Sequence, residues 1–156
     1  MSCGLSERGA VSLEFMLLFP FIMAILYGAG YYSVLFSWQY RMQSVVDAAA
    51  ASGMYLDRSG SSDPAKAVKD RANKTLAELA EALPLAVQNS LDMPPSNCSY
   101  EDIPHTEDDT ITVVKCEIEM STEAINTALP AINFGFLGQF PPAPSSGIRA
   151  SAQVAF

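Results

Sequence analysis

Basic side chains are scarce in this chain: nine Lys and Arg stand against seventeen Asp and Glu in 156 residues, for a net charge of −8. Nucleic-acid binding draws on clustered Lys and Arg, so this balance argues against that class of partner. The excess of acid reads instead as solubility for an exported domain. Histidine is nearly absent. The single one, His105, lies in a proline-rich stretch beside acidic residues, where an imidazole is ordinarily solvated. No zinc spacing, glycine-rich phosphate loop or nucleophile elbow appears, so neither an enzyme nor a metal or cofactor site is expected.

Charge is missing altogether from residues 15–38. A run of that length can cross a hydrocarbon core as one helix, and the lipid bilayer is therefore an expected partner. One carboxylate, Glu14, sits at its head, and a charge beside an apolar span asks for a partner. Pro20 is compatible with a membrane helix, where neighbours re-satisfy the freed carbonyl. Gly28 and Gly30 permit close backbone approach to another helix. Tyr27, Tyr31, Tyr32, Trp38 and Tyr40 crowd the far half as an interfacial aromatic belt would. Beyond Trp38 the sequence becomes amphipathic and alanine-rich, with Met42, Val45, Val46, Ala49 and Met54 at helical spacing. One long helix is predicted from about Ser12 to about Leu56.

Cysteine is also sparse. Cys3 falls in the short polar stretch before the apolar run, and Cys98 and Cys116 lie in the part beyond it. An even pair in a small domain favours a disulfide where oxidation persists, with two buried free thiols as the alternative. Closing the 18-residue interval between them is worth ~3 kcal/mol in the chain-entropy model.

The polar break at residues 57–63 ends the long helix. Asp63 and Pro64 then suit the cap and first position of a second helix. Val68, Ala72, Leu76, Leu79 and Leu83 give it one apolar stripe, and Pro84 stops it, with a short turn possible over residues 85–91. Residues 92–110 read as loop, holding Pro94, Pro95, Pro104 and the acidic run Glu107, Asp108, Asp109. Three adjacent carboxylates raise the idea of calcium, but the spacing is not that of an EF-hand and a solvated loop tip is the plainer reading. Asn97-Cys98-Ser99 matches a glycosylation sequon, a short pattern with a high false-positive rate. Residues 110–122 alternate as a strand, with a slip at Val113 and Val114 that could mark a bulge. A helical turn over 122–129, a loop rich in Pro, Gly and Phe, and a second strand over 148–156 complete an α+β chain. Phe134, Phe136 and Phe140 read either as a contact patch for another subunit or as packing across the small sheet.

The stretch Gly9-Ala10-Val11-Ser12-Leu13-Glu14-Phe15 resembles a type IV prepilin cleavage site, with the cut after Gly9 and Glu14 fifth in the mature chain. The fuller string, from Arg8 through Leu18-Phe19-Pro20 to Asp47-Ala48-Ala49-Ala50, resembles the TadE/TadF-like minor pseudopilins of the tight-adherence (Flp) pilus machinery. Leaders in that family are usually more basic, whereas Glu7 here partly cancels Arg8. The resemblance implies a leader at 1–9, a transmembrane and amphipathic helix at 10–56, and a small pilin-like extracytoplasmic α+β domain at 63–156. It also implies a bacterial inner-membrane subunit, N-terminus cytoplasmic and domain periplasmic or extracellular. Its partners would be a prepilin peptidase, other pilin subunits and an inner-membrane assembly platform. Gly9 and Ala10 would flank the cut, and Glu14 would receive the new α-amine of a neighbour during assembly. Two alternatives stay open: a type II secretion pseudopilin, and an unprocessed signal-anchored domain that binds or senses a ligand. A secretory signal peptide is not among them, since the small residues Ala48, Ala49 and Ala50 lie too far past the apolar run.

Overall fold

The computed structural model describes residues 8–57, 63–92, 97–106 and 109–155. Residues 1–7 of the expected leader, the break at 58–62 and the acidic Glu107 and Asp108 lie outside them, as do the side chains of Arg8, Gly9, Ala10, His105 and Asp109. The calcium reading of the acidic run therefore falls outside the described residues.

A single α-helix, α1 (Arg8–Ser52), carries the first third of the chain and continues past Pro20 into a 3-10 turn at Gly53–Tyr55. It begins earlier than the expected Ser12. At about 1.5 Å per residue a helix of this length extends roughly 68 Å, over twice the thickness of a hydrocarbon core. α2 (Pro64–Ala80) starts as its sequence dictates: the Asp63 carboxylate accepts a hydrogen bond from the Lys66 amide at 3.1 Å, and Pro64 takes a position whose amide has no intrahelical acceptor. Val68, Ala72, Leu76 and Ala80 form its buried stripe. α2 docks on the end of α1 where Gly53 leaves room: a Cβ there would stand 2.6 Å from a methyl of Val68. α3 (Leu85–Gln88) is one turn after Pro84.

The sheet is antiparallel around β3 (Asp109–Met120). β2 (Cys98–Thr106) and the two-residue β1 (Leu91–Asp92) pair with successive stretches of β3, while β6 (Ile148–Ala155) pairs with it from Val113 to Met120. Alternation decides which side is wet. Val114, Cys116, Ile118 and Met120 of β3, with Ile148 and Ala150 of β6, are buried against α1 and α2. Lys115, Glu117, Glu119 and Arg149 occupy the opposite face as a cross-strand ion-pair cluster, with Arg149 reaching Glu117 at 2.6 Å and Glu119 at 3.2 Å. The result is a two-layer α+β arrangement: a long N-terminal apolar helix, a second helix and a small antiparallel sheet.

Two expectations are corrected here. Residues 98–106, read as loop, form β2, which is an edge strand. Pro104 is tolerated there because an edge leaves half the backbone groups unpaired by the sheet. The irregularity expected at Val113 and Val114 is absent, both residues standing in regular register with Glu101 and Tyr100; it falls in β2 between Pro104 and Thr106.

α4 (Thr122–Ala128) is capped by the Ser121 hydroxyl, which accepts from the Ala124 amide at 3.2 Å, and it buries Ile125. A miniature hairpin follows, β4 (Ile132–Asn133) and β5 (Gln139–Phe140), closed by a 3-10 turn at Gly135–Leu137.

Candidate functional site

The two ends of α1 meet different surroundings. At positions 13–26 every large apolar side chain is 48% to 77% exposed, so nothing in the chain's own core claims them. From Gly28 upward a stripe at Gly28, Tyr31, Leu35, Trp38, Met42, Val46 and Ala49 is buried, at spacings of three and four residues. This corrects the reading of two of the aromatic residues, Tyr31 and Trp38, as part of an interfacial belt. Tyr31, at 5% exposed, and Trp38, at 8%, belong to the core, whereas Tyr40, at 77%, stands free of it.

The other tyrosines fasten the chain's later loop to the helix. The Tyr27 hydroxyl donates to the Pro130 carbonyl, and the Tyr32 hydroxyl donates to the Pro142 carbonyl at 3.0 Å. Gly28 serves the same junction. A Cβ at this position would stand 3.4 Å from the Phe140 ring, so the small residue admits an aromatic ring of its own chain rather than another helix. Gly30, by contrast, has no atom within 4 Å of where a Cβ would sit. The polar ends of Tyr27 and Tyr32 could have signalled this role, since the loop they meet is rich in proline, whose carbonyls remain acceptors while its nitrogens donate nothing.

Glu14 lies on the exposed part of α1, and among the described residues it has no ion-pair partner in its own chain. Gly9 and Ala10 are in the first turns of the helix, five and four residues before it. At the other end of the molecule, Cys98 and Cys116 face each other in register and form a disulfide; both are fully buried. The bridge joins β2 to β3 under α2, whose Asn73 side chain accepts from the Cys98 amide at 2.9 Å and donates to the Cys98 carbonyl at 3.4 Å. Nothing in the sequence pattern marked Asn73, which lies off the apolar stripe.

One open cleft of about 810 Å³ separates α1 from the segment leading into β6, lined by Tyr32, Leu35, Phe36, Gln39, Ile148 and Arg149 among others. Its charged members, Glu119 and Arg149, are paired with each other at 3.2 Å. That lining supplies no nucleophile with an adjacent base.

These features define a class: an α+β protein in which one helix is both a candidate membrane span, by length and composition, and the spine of the folded part. Residues 9–51 match the model of the family described as TadE-like protein, a pilus-associated family not known for enzymatic activity, and over that stretch the chain is similar to it. The matched stretch ends where α1 ends, so α2 and the sheet lie outside it. No curated protein and no solved structure matches the chain.

Proposed function

We propose that this chain is a minor pseudopilin of a Tad-type pilus system, held in the bacterial inner membrane by the lower part of α1 and processed by a prepilin peptidase between Gly9 and Ala10. The observation that carries the reading is the exposed, uncharged surface of α1 over residues 15–26 with a single carboxylate, Glu14, at its head, inside the stretch that matches the TadE-like family. The folded part faces the oxidising side, with the N-terminus cytoplasmic. The buried Cys98–Cys116 disulfide supports that orientation, since such bonds persist outside the cytosol. Processing would place a new α-amine on Ala10, and a neighbouring subunit's α-amine would pair with Glu14. At ~4 Å and an effective dielectric near ~20, such a pair gains roughly 4 kcal/mol before desolvation. Desolvation consumes much of that gain, so the pair sets the register between subunits more than it sets their net affinity.

The test compares wild type with Gly9→Leu and Glu14→Ala in cells carrying the peptidase and the assembly machinery. N-terminal sequencing of membrane-extracted wild type should begin at Ala10, and Gly9→Leu should retain Met1. Glu14→Ala should be cleaved normally yet accumulate in the membrane without filaments. Met1 retained in wild type would instead favour a signal-anchored domain that never polymerises.

A further inference from the structure

We infer that the hairpin formed by β4 and β5 is a second membrane-contacting element, a wedge whose Phe134 and Phe136 rings seat in the headgroup–acyl boundary of the leaflet beneath the folded part. This rests on the reading of α1 as a membrane span.

The first ground is position along α1. The hairpin lies beside the lower part of the helix, where Phe134, Gln139 and Phe140 share an apolar groove with Pro20, Phe21 and Ala24. With the outer boundary of the hydrocarbon set at Tyr27, Ala10 lies about 26 Å below it at a rise of about 1.5 Å per residue, close to the roughly 30 Å of a bilayer core. On the same scale Ala24 and Pro20 lie about 5 and about 10 Å below that boundary, the depth at which interfacial apolar elements seat. Tyr27, with its hydroxyl on the Pro130 carbonyl, then stands at the interface as tyrosines do.

Composition is the second ground. In a chain with 26 charged residues, positions 124–148 carry neither a charged residue nor a histidine. Phe136 is 96% exposed, Phe134 51% and Ile132 49%. Two phenylalanine rings and an isoleucine left open on an uncharged tip, continuous with the bare surface of α1, form one apolar surface rather than scattered residues.

The third ground is that much of the tip's backbone is hydrogen-bonded within the hairpin, which lowers the cost of leaving water. The Gly135 amide donates to the Asn133 side chain at 2.8 Å, the Phe134 amide to the Gly138 carbonyl at 2.9 Å, and the Gly138 amide to the Gly135 carbonyl at 3.1 Å. The Gln139 side-chain amide donates to Asn126 at 3.0 Å. Backbone at membrane depth requires this internal satisfaction. Gly135 and Gly138 supply the positive φ angles, 65° and 82°, that close so tight a turn.

The test uses the full chain carrying Cys3→Ser, the disulfide intact, with one added cysteine labelled by an environment-sensitive fluorophore. The protein is placed at high dilution in phosphatidylethanolamine–phosphatidylglycerol vesicles containing lipids brominated at defined acyl depths. Three positions are compared: Phe136→Cys at the hairpin tip, Met16→Cys in the lower helix, and Tyr55→Cys at the far end. The expected result is strong quenching at position 136 by shallow bromines, quenching at 16 by deep ones, and several-fold weaker quenching at 55. Position 136 as unquenched as 55, with 16 quenched, would overturn the wedge and leave the membrane-span reading standing. Position 16 unquenched would overturn both. Dilution separates lipid from a neighbouring subunit: a tip that becomes shielded only when copies are crowded belongs to a protein contact, which also overturns the proposal.

Discussion

Asn73→Ala should destabilise the folded part by about 2 kcal/mol, more than its half-exposed side chain would indicate. The reason lies in the edge of the sheet. Cys98 stands directly opposite Cys116 with Cα atoms 4.0 Å apart, the close spacing of an antiparallel pair that exchanges no hydrogen bonds with its partner. The amide and carbonyl of Cys98 therefore turn outward, away from β3, and Asn73 on α2 satisfies both. Each bond is worth about 1 kcal/mol net, and the 3.4 Å one less. Against that, leaving buried backbone groups unpaired costs about 1–3 kcal/mol each, and alanine returns at most about 0.7 kcal/mol of helix propensity. Trp38, the only tryptophan, is buried in the core and reports unfolding directly. Urea titration of the detergent-solubilised chain, followed by its fluorescence, should show the lowered midpoint, and hydrogen exchange at the Cys98 amide should accelerate on the order of 30-fold. Lys74→Ala is the control, since it removes only an exposed pair with Glu78 at 3.9 Å and should change stability by less than about 0.5 kcal/mol. If Asn73→Ala behaves like Lys74→Ala in both measurements, the edge-satisfaction argument fails.

Gly147→Ala should lose at least about 2 kcal/mol in the same titration, because φ is +70° and the new Cβ would stand 2.4 Å from the Met120 carbonyl oxygen; Gly135→Ala, with open space around it, should lose only the roughly 1–2 kcal/mol of its backbone conformation. Replacing both Cys98 and Cys116 by alanine should cost ~3 kcal/mol, and a reductant should lower the wild-type midpoint while leaving the double variant's unchanged. The Tyr31 hydroxyl is buried with no hydrogen-bond partner among the described residues, so Tyr31→Phe should be neutral or stabilising, whereas Tyr32→Phe should lose about 1 kcal/mol with its bond to Pro142; reversed signs in the urea midpoints would refute the assignment of Tyr32 as the clasp.

Much of the helical layer was legible in the sequence because its signals are local. Asp63-Pro64 marks a helix start, and Val68, Ala72 and Leu76 repeat at one turn, so α2 needed no tertiary knowledge. β3 is buried on one face and wet on the other, and it alternates accordingly. β2 was not legible because its register is dictated by β3: as an edge strand it can hold Pro104 and acidic residues that argue locally for a loop. The division of α1 was hidden for a different reason. Lipid and a protein core are both apolar, so residues 15–38 present one continuous run although the surroundings change near Gly28. Where every face of a helix is apolar, periodicity carries no information about which face is buried, and the stripe through Tyr31, Leu35 and Trp38 emerges only in contact with the sheet. The hairpin beside Pro20 was equally invisible, since two-residue strands leave no alternation to read.

That division bears on how Glu14 can be reached. In water the upper part of α1 is held to the sheet by removal of apolar surface, but within lipid that driving force vanishes, and specificity passes to shape and to the few polar groups present. The buried stripe of the upper helix runs down through Gly28, and fourteen residues below it stands Glu14. At about 100° per residue that displacement falls about 40° short of four full turns, so Glu14 lies on roughly the side of α1 that the sheet and hairpin cover higher up. A neighbour's α-amine meeting this carboxylate would approach from beneath the hairpin rather than from the open side that carries Gly30. The hairpin would then sit above the subunit contact and limit the angle from which a partner helix enters. In such a contact the hairpin would bound the side from which a partner enters, and the carboxylate would fix how far along α1 it stops.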